Sequence, residues 1–278
     1  MDYILKFVTS VGEFLMGDGK HSYFKISAVR GLGFPDVERQ TIVYSGRRGE
    51  KTVSKRFMPR TISVRGDCLK KEAVAEITSC MAENGVLYVK CGESERKINV
   101  TPTAMEDIEK IGDVTRLVLQ FTADDPAFCD CEPVRKGIYE RVDLVSESFT
   151  PPCVFTRRVE GGNLINEGDV ATEPVITVIC NGASEGEASL IIKNNDTGAK
   201  IEINKTFSAG ETITIDTKTA EIYNVSGSSL LSSISDDTYL SEFVLKRGDN
   251  RISVVSTELS SQISVICEYD RKYLEANI

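Results

Sequence analysis

Apolar and polar residues alternate through most of the sequence, in short runs separated by turns. The clearest runs are residues 174–180, 188–193, 200–204 and 211–216, and stretches rich in Gly, Asn or Asp, such as 194–198, separate them. A period of two places successive side chains on opposite faces of a strand, so the pattern predicts short strands that each bury one face. Several such strands at this spacing are typical of two antiparallel sheets packed face to face.

In two of these runs the apolar positions are isoleucines. Ile201 and Ile203 alternate with polar residues, and Ile213 and Ile215 repeat the pattern after the turn at Ala209-Gly210. We expect these four side chains to line one buried face.

The N-terminal half shows the same alternation and one helical pattern. In residues 67–84, Leu69, Ala73 and Ile77 recur at steps of four. Asp67 can cap the first free amides, and Gly85 suits the left-handed residue that ends a helix. We predict one helix over 67–84 that covers a face of the N-terminal sheet. Strands are predicted at residues 2–8, 12–17, 21–30, 41–44, 52–64, 86–90, 96–101 and 115–122.

Two strand pairs stand out in this half. Residues 41–44 and 52–64 are predicted to pair around a flexible, positively charged tip at 45–49. A second hairpin is predicted from residues 86–101.

The chain is predicted to be mainly β, with two domains of the β-sandwich type. A length of 278 residues allows two domains that each bury a core. We place the first, with its covering helix and hairpin, at 1–132 and the second at 133–278. Residues 130–160 are interpreted as a linker with one or two strands, and the closing strand at 262–273 can pair with either domain.

A series of short motifs follows a definite order along the chain. They are Gly12-Glu13, Gly31-Leu32-Gly33, residues 123–128, Gly168-Asp169 followed by 174–178, residues 210–217, residues 230–233, and Leu245-x-x-Gly248-Asp249-Asn250. Together they resemble the distal tail protein of long-tailed, non-contractile phages. The resemblance covers essentially the whole chain.

That resemblance implies a structural virion protein, a baseplate hub of a phage or prophage. Six copies would form a ring through their N-terminal domains and join the tail tube protein to the tail-associated or tail-fibre protein. The C-terminal sandwich, similar to galectins and carbohydrate modules, would point outward and could hold a receptor-binding protein. The expected location is the virion tail tip, after assembly in the bacterial host cytoplasm, and no enzymatic activity is implied.

Composition narrows the possible partners. The formal charge of −9 argues against a protein that mainly neutralises nucleic-acid phosphates, so no specific nucleic-acid binding is expected. No apolar run approaches the ~20 residues that cross a bilayer, so no membrane partner is expected. Residues 1–19 lack the apolar centre of a signal peptide, and we therefore expect the eight cysteines to be reduced thiols.

Charge is distributed unevenly along the chain. Residues 47–71 hold nine Lys or Arg against two acidic residues, a net of +7, whereas residues 161–256 hold seven against fourteen, a net of −7. This polarity fits either surfaces that face different neighbours or a strand pair whose solvated lysines protect its edge. From the basic stretch and the following hairpin we expect ring and tube contacts at Arg47, Arg48, Arg56, Arg60, Arg65, Tyr88 and Lys90.

Candidate catalytic chemistry is sparse. His21 is the only histidine, and no glycine elbow presents a Ser or Cys nucleophile, so we interpret His21 as a residue at the surface or at a strand end. Cys129-Asp130-Cys131 has a spacing of one, shorter than that of structural zinc pairs. The acidic pairs 124–125 and 236–237 lack calcium-loop spacing. We therefore expect no catalytic residue, metal or cofactor.

The alternative function is a carbohydrate-binding module concerned with attachment to the host surface. Such platforms usually need exposed aromatic rings, and the chain has no Trp. Between residues 161 and 256 the aromatic residues are Phe207, Tyr223, Tyr239 and Phe243. A core would claim most of them, because each buried ring removes ~150–250 Å² from water.

Overall fold

The computed structural model describes residues 3–17, 22–46, 48–143, 156–159, 161–257 and 263–276, with the backbone alone at 140–143 and 156–159. His21, Arg47 and Cys153 lie outside the described residues. The chain divides into two compact units, one of Met1–Cys131 with Tyr273–Ile278 and one of Glu132–Lys272.

The described chain is mainly β, as predicted. Its first elements are β1 (Tyr3–Thr9), β2 (Glu13–Met16), β3 (Phe24–Arg30), β4 (Val37–Ile42), β5 (Lys51–Phe57), β6 (Arg60–Cys68), α1 (Lys71–Cys80), β7 (Gly85–Cys91), β8 (Ser94–Ile111), β9 (Val114–Ala123) and β10 (Phe128–Asp130). The remaining strands are β11 (Val134–Asp143), β12 (Thr156–Val159), β13 (Gly161–Asn166), β14 (Val175–Cys180), β15 (Ala188–Asn194), β16 (Lys200–Lys205), β17 (Thr212–Asp216), β18 (Glu221–Asn224), β19 (Gly248–Ser256), β20 (Ile263–Tyr269) and β21 (Lys272–Tyr273).

The first unit is built on one curved sheet. Its strand order over the described residues is β21-β10-β8-β7-β1-β2-β3-β6-β9. The long strand β8 pairs with β7 through residues 94–100 and with β9 through residues 101–111. The sheet therefore curves so that β8 also pairs with the edge strand β9. Its inward side chains form one hydrophobic cluster, in which Phe7, Leu87 and Phe121 have no exposed surface.

Helix α1 packs on this cluster but is shorter than predicted. It spans Lys71–Cys80 and buries Ala73, Ile77 and Cys80. The predicted start was wrong because Asp67 belongs to β6, where it pairs with Arg116 of β9 in the sheet register. Leu69, expected in the apolar stripe, is exposed. No helix in the described ranges is long and apolar enough to cross a membrane.

The predicted strand over 52–64 is two strands that belong to different sheets. β5 pairs with β4, whereas β6 pairs with β3 and β9. The division falls at Met58-Pro59, because proline has no N–H for a ladder hydrogen bond and is excluded from continuous central strands.

The second unit contains two sheets around one core. Over the described residues their orders are β12-β11-β20-β14-β17-β18 and β13-β19-β15-β16. Ile201 and Ile203 lie in the four-stranded sheet and Ile213 and Ile215 in the six-stranded sheet, and none of the four side chains is exposed. The four isoleucines therefore face one core from two sheets, whereas the sequence placed them on a single face.

Buried asparagines hold the turn before β19 in place. Asn250 accepts a hydrogen bond from the Lys246 amide at 2.9 Å and donates to the Lys246 carbonyl at 2.8 Å. Asn194 donates to the Asn250 side chain at 3.2 Å and to the Val244 carbonyl at 3.1 Å. Because both side chains are fully buried, they replace water for the backbone of residues 244–250.

Candidate interaction surface

Strands β4 and β5 form a hairpin that stands outside the main sheets. We call residues 36–57 the basic arm. In the described chain, β4 and β5 make a two-stranded sheet of their own, with Val37 opposite Phe57 and Ile42 opposite Lys51. Every described side chain from residue 38 to residue 56 is exposed. Among the described residues, neither face of the arm is buried between residues 38 and 56.

The arm combines positive charge with exposed apolar side chains. It carries six Lys or Arg against three acidic residues, a net of +3. Its exposed apolar side chains include Ile42, Val43 and Val53, and Val43 is 73% exposed. Clustered exposed apolar groups with charges around them are typical of sites that bind another protein.

Aromatic contacts fix the arm at its base. The rings of Phe34 and Phe57 meet edge to face with centroids 5.8 Å apart. The Lys55 ammonium lies 5.0 Å from the centroid of the Phe57 ring, and the Met58 amide donates to the Asp36 carbonyl at 2.9 Å. These contacts order the start of the arm and leave its strands uncovered.

Arg60 is the first residue of β6, shortly after the arm in the chain, and is only 5% exposed. Its guanidinium donates to the carbonyls of Gly31 at 2.9 Å, Gly33 at 2.8 Å and Leu274 at 2.6 Å. It also stacks on the Phe128 ring at 4.5 Å. Burial lowers the pKa of Arg60 to about 10, so the group stays protonated at neutral pH. Arg60 therefore links the glycine break at residues 31–33, which precedes the arm, to the C-terminal segment at Leu274. It is not a surface residue of this unit.

The glycine break itself depends on a backbone that only glycine adopts easily. Gly31 has φ of +86°. A Cβ there would lie 2.1 Å from the carbonyl oxygen of Thr61. Residue 31 must therefore be glycine for its carbonyl to reach Arg60 in this arrangement.

A second arginine holds the C-terminal segment. Arg96 donates to the Glu275 carbonyl, and its guanidinium lies 3.7 Å from the centroid of the Tyr273 ring. The Ala276 amide donates to the Leu32 carbonyl at 2.9 Å. We call Arg60, Arg96 and residues 273–276 the C-terminal clamp.

The other predicted contact residues are distributed over three places. Arg48 and Arg56 are exposed on the basic arm, and Arg47 of the same turn lies outside the described residues. Arg65 is exposed on β6. On β7, Lys90 is exposed and Tyr88 is half-buried, since Leu87 and Val89 point into the core. These residues stay predicted contacts.

The sequence missed a second projecting hairpin. β8 continues to Ile111 and β9 begins at Val114, and we call the exposed turn at residues 106–113 the acidic tip. It holds four acidic residues and one lysine, a net of −3. The run contains no alternation that would predict a strand, and the predicted hairpin ended at residue 101. In the structure Pro102 lies at a register shift, where a strand tolerates proline.

Two of the four aromatic residues that could form a sugar platform are core residues. Phe207 and Phe243 have no exposed surface, Tyr223 is half-buried, and Tyr239 is 62% exposed. One exposed aromatic residue is fewer than the several exposed rings that the hypothesis of a carbohydrate-binding module requires.

The described cysteines include four buried thiols, at Cys68, Cys80, Cys180 and Cys267. Burial raises the pKa of the Cys180 thiol to about 11 and that of Cys267 to about 12. Because the thiolate is the reactive form, these two thiols are inert at neutral pH. In the described part of the chain, no three His, Cys, Asp or Glu side chains are grouped to hold a metal ion.

Known proteins resemble both the second unit and the whole fold. Residues 167–273 match the family model described as the siphovirus-type tail component, C-terminal domain. The chain is similar to the crystal structure of the bacteriophage SPP1 Dit (gp 19.1) protein, described as a paradigm of the hub adsorption apparatus in phages that infect Gram-positive bacteria. The TM-score is 0.67 at 12% identity, over 97% of this chain and 98% of that chain.

Two baseplate structures give the same fold. A chain of the phage P2 baseplate in its activated conformation with Ca matches with a TM-score of 0.53 at 8% identity, over 96% of this chain and 97% of that chain. The Sr form gives a TM-score of 0.54 at 8% identity, with the same coverage. Among curated proteins no sequence match was found.

The family model and the SPP1 match confirm the resemblance that the sequence carries. Residues 167–273 therefore match the siphovirus-type tail component, C-terminal domain, and the chain has the fold of the SPP1 Dit protein.

Proposed function

We propose that this chain is a structural component of the tail tip of a long-tailed, non-contractile phage or prophage, a distal tail protein that serves as the baseplate hub. The observation that carries the proposal is the likeness to SPP1 Dit over nearly the full length of both chains. The role is assembly in the virion and not catalysis.

In this proposal six copies close into a ring through their first units. Each subunit of a closed ring presents two different patches, head to tail. The basic arm is a suitable patch, because a two-stranded hairpin with no buried face is at best marginally stable alone and gains stability by packing on a neighbour. The ring would join the tail tube protein to the tail-associated or tail-fibre protein.

The second unit is proposed to lie at the periphery of the ring. Its two sheets and shared core suit a sandwich of the galectin or carbohydrate-module type, which could hold a receptor-binding protein. Assembly would take place in the host cytoplasm and end at the virion tail tip.

Negative-stain electron microscopy of the purified full-length chain tests the proposal. The expected images show a six-fold ring with a central hole. Particles of another symmetry, or a chain that stays monomeric at the highest concentration reached, would overturn it.

A deletion of residues 45–49 tests whether the basic arm takes part in the ring interface. We expect the ring to be lost while the circular dichroism spectrum and melting temperature of the chain are kept, because every described residue of 45–49 is exposed. Unchanged ring formation would remove the arm from the interface. Charge reversal at Arg60 does not serve this purpose, since that buried residue would report on folding.

A further inference from the structure

The basic arm and the acidic tip are two exposed hairpins of opposite charge in the same unit. The arm carries a net of +3 over residues 36–57, and the tip carries −3 over residues 106–113. Every side chain of the tip is exposed, as is every described side chain of residues 38–56. The two surfaces therefore do not cover each other within one chain.

We propose that the basic arm of one copy packs on the acidic tip of the next copy of the same chain. This inference rests on the proposed ring and names the two patches that meet in it. A head-to-tail contact needs two different, complementary patches on one subunit, and these two hairpins meet that requirement.

Apolar groups accompany the charges on both patches. Ile108 and Ile111 are exposed on the acidic tip, Ile111 at 62%. Ile42, Val43 and Val53 are exposed on the arm. Contact between these side chains would remove apolar surface from water, which supplies affinity, while the charges select the partner and the register.

The acidic groups of the tip are available for a new partner. Asp107 pairs with Lys110 at 2.8 Å and Glu109 with Arg116 at 3.0 Å, and all four side chains are at least one third exposed. Exposed pairs of this kind are weak and exchange readily. Glu106 and Asp113 have no ion pair among the described residues, so these two carboxylates are the first candidates for arginines of the arm.

A charge-swap experiment on the full-length chain tests the pairing. One variant, R39E/R48E/R56E, reverses the arm from +3 to −3, and a second, E106K/D107K/D113K, reverses the tip from −3 to +3. Both leave the Phe34–Phe57 base and the Glu109–Arg116 pair intact. A third variant carries all six changes. As a control, K193E/K218E/R247E makes the same change in net charge as the arm variant, but on the second unit.

Sedimentation velocity at low salt measures self-association, and circular dichroism checks the fold. Each triple hairpin variant should associate about tenfold or more weakly than wild type, because like charges then face each other. The control should associate as wild type does.

Mixing is the sharper measurement. In an equimolar mixture, the reversed arm of the arm variant meets the reversed tip of the tip variant. At the next contact, the native arm of the tip variant meets the native tip of the arm variant. All contacts then join opposite charges, so a six-membered ring of alternating variants should form. The six-change variant should assemble alone.

The outcomes separate this inference from the proposed ring. A wild type that remains monomeric overturns the ring and the pairing together. A wild type that assembles, with hairpin variants that assemble equally well, or that stay apart when mixed, overturns the pairing alone and leaves the ring to other contacts.

Discussion

The basic arm and the β15–β16 hairpin of the second unit are ribbons of similar length with opposite relations to the core. In β15 and β16 every second side chain is buried, with Leu190 opposite Ile203 and Ile192 opposite Ile201. In β4 and β5 the alternation is lost and almost every side chain is exposed. A hairpin that buries a face is stabilised by its own chain, whereas one that buries none depends on another molecule for its packing.

The comparison predicts that the two hairpins respond differently to mutation. Substitutions in β16 should change stability and leave association alone. Substitutions in the arm should do the reverse.

The largest effect is expected for Ile203→Ala. The side chain has no exposed surface and lies in the core of the second unit, so its truncation leaves a cavity. The free energy of unfolding should fall by about 2–5 kcal/mol. Urea denaturation followed by circular dichroism measures it, and a loss near zero would mean that the core of this unit is not packed as described.

Arg60→Ala should come next. The change removes the donor to the carbonyls of Gly31, Gly33 and Leu274, three partly buried hydrogen bonds, and the free energy of unfolding should fall by about 1–3 kcal/mol in total. The same denaturation measures the loss. Arg56→Ala on the arm is the matched control and should be neutral. Equal effects of the two changes would place Arg60 at the surface after all.

A smaller, pH-dependent effect is expected at the turn between β15 and β16. Asp196 there binds Arg251 of β19 at 2.7 Å, and this hydrogen bond holds the pKa of the carboxyl below its usual range. A depressed folded-state pKa gives stability that is present above the unfolded pKa of about 3.9 and is lost as the pH falls through the folded-state value.

Asp196→Asn should therefore lower the melting temperature at pH 7, and the difference from wild type should shrink as the pH drops below about 4. Scanning calorimetry over that range measures it. A difference independent of pH would show that the charge of Asp196 is not what stabilises the turn. The described turn residues of the arm have no ion pair of this kind.

The smallest effect on stability is expected for Val53→Ala on the arm. The side chain is exposed, so the free energy of unfolding should change by no more than about 0.5 kcal/mol. Self-association measured on the same sample should weaken. A stability loss close to that of Ile203→Ala would mean that the arm packs on its own chain, and the comparison would fail.

The sequence predicted strands best where the alternation of apolar residues coincides with burial in the core. The isoleucines of β16 and β17 were placed in buried strands because the strand period and the burial coincide there. The motif that ends in Asn250 was noticed as part of a family resemblance. Only the fold explains why this asparagine is there: its buried side-chain amide binds the backbone of residues 244–250.

Prediction failed where a residue's role depends on distant partners. Arg60 looked like one more base in a basic stretch, but β6 turns it inward together with Ile62 and Val64. Its partners at Gly31 and Leu274 are far away along the chain. The acidic tip was missed for a related reason, since a polar run shows no period and becomes a strand only through its pairing with β9.

The sequence by itself determined that the chain is mainly β, which runs bury a face, and which phage tail family it resembles, because each depends on local periodicity or on ordered short motifs. Tertiary structure alone decided which hairpins project and which join a sheet, that one arginine of the basic stretch is buried, and that an acidic hairpin accompanies the basic arm. Strand pairing and burial are set by contacts between residues far apart in the chain, and the local pattern does not encode them.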